Sequence, residues 1–215
     1  MTAELGLRER KKQRTRQLLS ETARRLFSNR GFEQVSIAEI AREADVSEQT
    51  VFNYFATKED LVFSGLETFE GQLLAAVRER PRGQTVIAAF SEFILEPRGF
   101  LAADDDVAAR DLVAVTRMIA ASPALLAREQ QIFARYTDAL ARLIADETGS
   151  RGADPRPYVV ANALIGVHRA LISYVREQLE AGATDRRRLS RQVRRLGENA
   201  LALLSDGLDE YAAKR

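Results

Sequence analysis

An all-helical fold in two parts is what this sequence predicts, and three observations carry it. Apolar residues recur at steps of three and four along most of the chain, and no stretch sustains the alternation of a strand. All five prolines fall where helices can begin or end. Two short helical segments joined by a tight turn, within residues 36–54, precede a series of much longer ones. Composition sets the bounds. With 215 residues, 46% hydrophobic and 29% charged, the chain can bury a core beneath a well-solvated surface. No apolar run approaches the roughly 18–20 residues of a membrane span. The basic start MTAELGLRERKKQR lacks the apolar stretch of a secretory signal. The absence of cysteine excludes disulfides and thiolate metal sites and fits a cytoplasmic protein, and the lack of a spanning run leads to the expectation of no membrane partner. With 32 basic against 31 acidic residues, any attraction to a polyanion must come from how charge is placed.

The first helix is expected from Arg8 to Asn29, with Leu18, Leu19, Thr22, Ala23, Leu26 and Phe27 on its apolar face and Gly31 just past its end. Its start is basic: Arg8, Arg10, Lys11, Lys12, Arg14 and Arg16 stand against Glu9 alone. Ser36 with Glu39 three residues on makes a capping box ahead of Ile37, Ile40, Ala41 and Ala44. Asp45-Val46 turns the chain, and Ser47 is placed to cap a helix over Glu48–Tyr54, with Val46 in the corner and Val51 and Phe55 behind it. This is a helix-turn-helix, whose second helix can lie in a DNA major groove. Thr57, with Asp60 three on, starts a further helix expected to run through Leu61, Phe63, Leu66, Phe69, Leu73, Leu74 and Val77 to about Arg80, where Pro81-Arg82-Gly83 breaks it.

Beyond residue 84 the helices lengthen. Val86–Leu95 is strongly apolar and stops at Pro97-Arg98-Gly99. Asp104-Asp105-Asp106 leads into Val107–Ala121, acidic residues suiting the positive end of a helix. Ser122-Pro123 restarts the chain to Thr148, and Asp154-Pro155 precedes Pro157–Glu180. Thr184 or Asp185 caps a last helix to about Ala213. The last two helices carry apolar residues on more than one face, which predicts pairing of two such hairpins across a twofold axis. Val167, Leu171, Tyr174, Val193, Leu196 and Leu203 are the expected interface. The arginine run Arg186–Arg195 reads as a solvated outer face.

One set of residues is more specific than any pattern. Ile40-Ala41-x-x-Ala44-x-Val46-Ser47-x-x-Thr50-Val51-Phe52-x-Tyr54-Phe55-x-x-Lys58-Glu59-x-Leu61 resembles the DNA-binding signature of the tetracycline-repressor (TetR) family. Ala23-x-x-Leu26-Phe27-x-x-x-Gly31-Phe32 is similar to that family's first helix and its exit. The resemblance covers roughly residues 10–63; beyond that it is one of length and helical pattern. It implies a DNA-binding domain over residues 1–56 and a helical ligand-binding and dimerisation domain over residues 57–215. It also implies a homodimeric repressor on a palindromic double-stranded operator, released by an apolar small-molecule effector.

Two positions depart from the family's usual residues, Asp45 standing where many members have Gly and Phe52 where many have Tyr. Asp tolerates a left-handed turn at some cost, and Phe52 loses a phosphate-seeking hydroxyl and is left to pack or to meet a thymine methyl.

Phosphate contacts position a reader and base contacts specify. The positioning candidates are Arg14 with its basic neighbours, Ser36, Ser47 at the start of the second helix, Tyr54 and Lys58. The base-reading candidates are Glu48, Gln49, Thr50 and Asn53: Gln and Asn pair with adenine, Thr meets a thymine methyl, and Glu accepts from cytosine. In the second domain Phe90, Phe93, Met118, Phe133, Tyr136, Leu164 and His168 are the pocket candidates, within a wider set that includes Phe100. No metal, cofactor or catalytic group is expected, since one histidine and no cysteine leave little for hydrolytic or metal chemistry. The alternatives are a helical protein-interaction module and an activator in the same fold.

Overall fold

The computed structural model describes residues 6–98, 101–102, 106–150 and 152–208. Phe100, Asp104, Asp105 and the expected extension of the last helix to Ala213 lie outside them. Among the described residues the chain is helical throughout: α1 (Leu7–Arg30), α2 (Ile37–Glu43), α3 (Glu48–Tyr54), α4 (Lys58–Val62), α5 (Leu66–Arg78), α6 (Val86–Leu95), α7 (Asp106–Ala121), α8 (Pro123–Thr148), α9 (Arg156–Glu180) and α10 (Arg186–Leu208). They form two compact units, one of residues 1–66 with 114–128, the other of residues 67–113 with 129–215. The division that the sequence suggests at residues 56/57 falls inside the first unit.

In the first unit, α1 ends at Gly31, whose φ of 84° only glycine adopts freely. That turn brings Phe32 back onto Phe27, ring centroids 5.1 Å apart. Leu19, Ala23, Phe27, Val35, Ile40, Val51, Phe55 and Leu61 are all but sealed from solvent and make the core that fixes α2 and α3 on α1. The start of α8 belongs here too. Ser122 donates to Glu33 Oε1 at 2.7 Å, and Arg128 donates to Asp60 Oδ1 at 2.8 Å.

The long helix expected from residue 58 to 80 is two helices. It stops at Val62, and Phe63-Ser64-Gly65 forms a turn closed by Leu66 N–H donating to the Phe63 carbonyl at 3.0 Å. Ser and Gly are poor helix formers, and burial of Phe63 pulls the turn inward.

In the second unit, α10 packs along α9 and α6. A buried arginine closes the exit of α5: Arg80 donates to the carbonyls of Val77 and Gln84 and pairs with Glu147 at 2.6 Å. Such a charge is tolerable inside because its donors are used. Of the two caps expected for α10, Asp185 accepts from Arg188 N–H at 2.8 Å, and Thr85 caps α6 by accepting from Ala88 N–H. Among the described residues one helix, α9, is long and apolar enough to cross a membrane by length and composition, its most apolar 18 residues averaging a hydropathy of 1.3. The helix lies against α10, and Val160, Ala161, Leu164 and Ile165 are buried in the protein's own core.

Candidate nucleic-acid interface

The turn between α2 and α3 is built by the backbone. Val46 N–H donates to the Ala41 carbonyl at 2.9 Å and Asp45 N–H to the Arg42 carbonyl at 3.2 Å. This paired closure of a helix end requires a left-handed residue between them. Asp45 supplies it at φ 54°, the one non-glycine with positive φ among the described residues. Ser47 then caps α3, accepting from Thr50 N–H at 3.1 Å, and its hydroxyl lies 2.8 Å from that of Thr50.

The helix so placed has two unlike faces. Val51 is buried, while Glu48, Gln49, Phe52 and Asn53 are exposed; Phe52 retains 47% of its surface. Gln49 Nε2 donates to Asn53 Oδ1 at 3.2 Å, pre-setting two amides one turn apart. Thr50 and Tyr54 are half-buried. Arg16 fixes the far end of α3: it donates to the Tyr54 carbonyl at 2.7 Å, and its guanidinium carbon lies 4.4 Å from the centre of the Phe55 ring. A cation there complements the negative end of the helix.

Between α1 and α3 runs a cleft of about 1030 Å³, lined by Leu7, Arg8, Glu9, Lys11, Lys12 and Thr15 on one side and by Asn53 and Tyr54 on the other. Arg8, Lys11, Lys12 and Thr15 stand at i, i+3, i+4 and i+7, a single helix face. Arg14, the foremost positioning candidate, is exposed but outside this cleft. Helical spacing is the signal that separates the two faces, and a basic run taken as one cluster hides it.

Two further positioning candidates have internal partners. Lys58 Nζ donates to the carbonyls of Phe32 at 2.9 Å and Val35 at 3.1 Å and lies 4.1 Å from the Phe32 ring centre. Two of its three donors therefore tie α4 to the loop after α1, which leaves one for a phosphate. Ser36 donates its hydroxyl proton to Glu39 Oε2 at 2.9 Å and accepts from Glu39 N–H at 3.2 Å. Glu39 is held down to about 2 by the Ser36 backbone N–H, then by Arg30 and the Ser36 hydroxyl. In this arrangement the Ser36 proton is committed to the cap.

The pocket candidates divide between the units. Phe93, Phe133, Tyr136 and His168 join Phe69 in one aromatic cluster of the second unit, with neighbouring centroids 4.8–6.2 Å apart. Phe90 and Leu164 are fully buried in the same unit. Met118 stands apart from them: α7 carries it into the first unit, where it lines a cavity of about 280 Å³ with Ser20, Arg24, Phe27 and Leu61. By spacing alone, Phe69 is only an apolar helix position.

The dimer candidates are used within the single chain to different extents. Leu171 and Val193 are buried with Leu179 and Leu189 in the chain's own core, and Val167, Tyr174 and Leu196 pack against them. Seating α10 on α9 and α6 uses these side chains within one chain. Of the six, Leu203 is left outward, 83% exposed, and Tyr158 and Val159 are exposed on α9. No group of His, Cys, Asp and Glu with metal-holding geometry occurs among the described residues.

The comparisons with known proteins agree with this geometry. The family "Bacterial regulatory proteins, tetR family" matches residues 19–64, and "MftR C-terminal domain" matches residues 85–208. The HTH-type transcriptional regulator TcmR of Streptomyces glaucescens is 31% identical over 67% of this chain and 65% of its own length, so the match spans a little under two thirds of that relative. The putative mycofactocin biosynthesis transcriptional regulator MftR of Mycobacterium tuberculosis is 27% identical over 73% of this chain and 76% of its own. Among solved structures, the fatty acid degradation regulator FadR from Bacillus halodurans is similar in fold, with a TM-score of 0.53 at 19% identity over 96% of this chain and 98% of that one.

Proposed function

This chain belongs to the TetR family of bacterial regulatory proteins and is a DNA-binding transcriptional regulator; from that premise we propose that it is a homodimeric repressor which binds a palindromic operator and leaves it when an apolar small molecule enters its second unit. The observation that carries this is the outward polar face of α3 beside the basic wall of α1. Arg8, Lys11 and Lys12 offer a phosphate strand its cations, and Asn53 and Tyr54 close the other side of the same cleft. Gln49, Phe52 and Asn53 are left to meet base edges and thymine methyls.

In a dimer two such helices enter successive major grooves, so the operator is palindromic with a fixed half-site spacing. Chain continuity supports the coupling, because α7 and α8 each contribute residues to both units. An effector acts by binding one spacing of the two readers more tightly than the other; equal affinity for both shifts nothing. The exposed Leu203, Tyr158 and Val159, with the partly exposed Val167, Tyr174 and Leu196, are available for pairing.

The test is a gel-shift titration of the promoter nearest its own gene at several salt concentrations. A salt-sensitive complex with two chains per site is expected. Absence of binding to that promoter and to every site selected from a random duplex pool sinks the reading.

A further inference from the structure

His168 is the one histidine of the chain, and its Nδ1 is buried without a hydrogen-bond partner. Its ring stacks on Phe69 with centroids 4.8 Å apart and meets Phe133 edge-on at 5.9 Å. Phe69 lies edge-on to Phe93 at 5.4 Å and nearly parallel to Tyr136 at 6.2 Å. The surroundings thus offer the imidazole two aromatic rings and its Nδ1 no hydrogen-bond partner. Buried nitrogens left this way are rare in native interiors, because desolvation is uncompensated. Neither the reader nor the ion pairs of the second unit use this residue.

We propose that His168 is the polar anchor of the effector, and that the effector is a neutral aromatic molecule bearing a hydroxyl group. The inference rests on the reading of the second unit as ligand-binding. The ring cluster favours a planar partner through stacked and edge contacts. A hydroxyl satisfies either tautomer, donating to a bare Nδ1 or accepting from Nδ1–H. Charge argues the same way. Burial pushes the imidazole down to about 4, so near neutral pH it offers no positive charge to a carboxylate or phosphate. Two cations lie beside this cluster. Arg169 is on the exposed side, its guanidinium 5.5 Å from the Phe133 centroid. Arg98, 3.8 Å from the Phe93 centroid, is already bonded to the Phe93 carbonyl and paired with the Glu96 carboxylate.

A shape-matched set of probes tests this on the full chain: 2-naphthol, 2-methylnaphthalene and 2-naphthoate, with binding read by calorimetry and by the rise in Tm. The wild-type protein is expected to bind 2-naphthol about tenfold more tightly than 2-methylnaphthalene, the effect of satisfying one buried group. His168→Phe is expected to erase that preference while keeping its helical spectrum. His168→Gln, which retains a donor and an acceptor, keeps part of it and serves where the phenylalanine variant fails to fold. Equal binding of the first two probes, binding of none, or a preference that survives His168→Phe overturns the proposal. Tighter binding of 2-naphthoate than of 2-naphthol overturns the neutral class. Release of operator DNA is scored separately. A His168-dependent preference without release leaves the anchor standing and removes the effector reading; release by an unrelated molecule with no preference does the reverse.

Discussion

Asp45 shows how one residue carries a cost for the sake of a turn. Its φ of 54° places a Cβ where the left-handed backbone disfavours one, and the two hydrogen bonds around it forbid relaxation. Asp45→Gly is therefore expected to raise stability by about 0.5–1 kcal/mol, the relief being partly offset by glycine's freer unfolded chain. Thermal unfolding should move up by roughly 2 °C. His168 makes a second prediction. Its folded pKa, about 4, lies below the ordinary 6.5, so between these values the unfolded chain binds the extra proton. Stability falls as pH drops from 6.5 towards 4 and levels off below. Denaturant unfolding across that range should show the slope in wild type and lose it in His168→Phe.

Among the helices, α3 is set by what lies behind it more than by what it displays. Val51 is fully buried, and Val51→Ala is expected to cost about 2 kcal/mol through the cavity it leaves. It should also weaken operator binding without removing any group that faces DNA, a combination read by unfolding and gel shift together. The entry to α2 depends on a charge. Glu39 sits far below the ordinary carboxylate value of 4.5, at about 2, so its share of the capping box is complete above pH 4.5 and is lost as pH falls through 2. Glu39→Gln should flatten the acid limb of the unfolding profile; an unchanged limb would show that the box contributes nothing in solution. The break at residues 63–65 belongs to this level as well. Its apolar periodicity continues from Leu61 through Leu66 to Leu73, so nothing in spacing alone distinguishes one helix from two.

For the molecule as a whole, charge placement decides affinity, because the net charge of +1 supplies almost none. If the α1 wall holds phosphates, replacing Arg8, Lys11 and Lys12 together by Gln should make the slope of log K against log salt shallower by about 0.9 for each phosphate no longer neutralised. Replacing Arg14, outside the cleft, should change it little. A slope equal to wild type in the triple variant would place the DNA elsewhere.

How much of this is legible in the sequence follows from the range of each interaction. Caps, the α2–α3 turn, the bounds of α3 and the chain's helical character depend on residues a few positions apart, so Ser36-x-x-Glu39, Asp45 and Ser47 reveal them in order along the chain. The resemblance to a known family added DNA binding to that reading. What only the folded chain decided was the use of each side chain across large sequence separations. Lys58 became a clamp on Phe32 and Val35, Met118 moved to the reader's unit, Phe69 entered the ring cluster, and Leu171 turned inward with Leu179 and Leu189 while Leu203 stayed outside. An apolar period says that a face will be buried and leaves its partner unspecified, since hydrophobic contact has no direction. Which face meets which is settled when all the helices compete for the same interior.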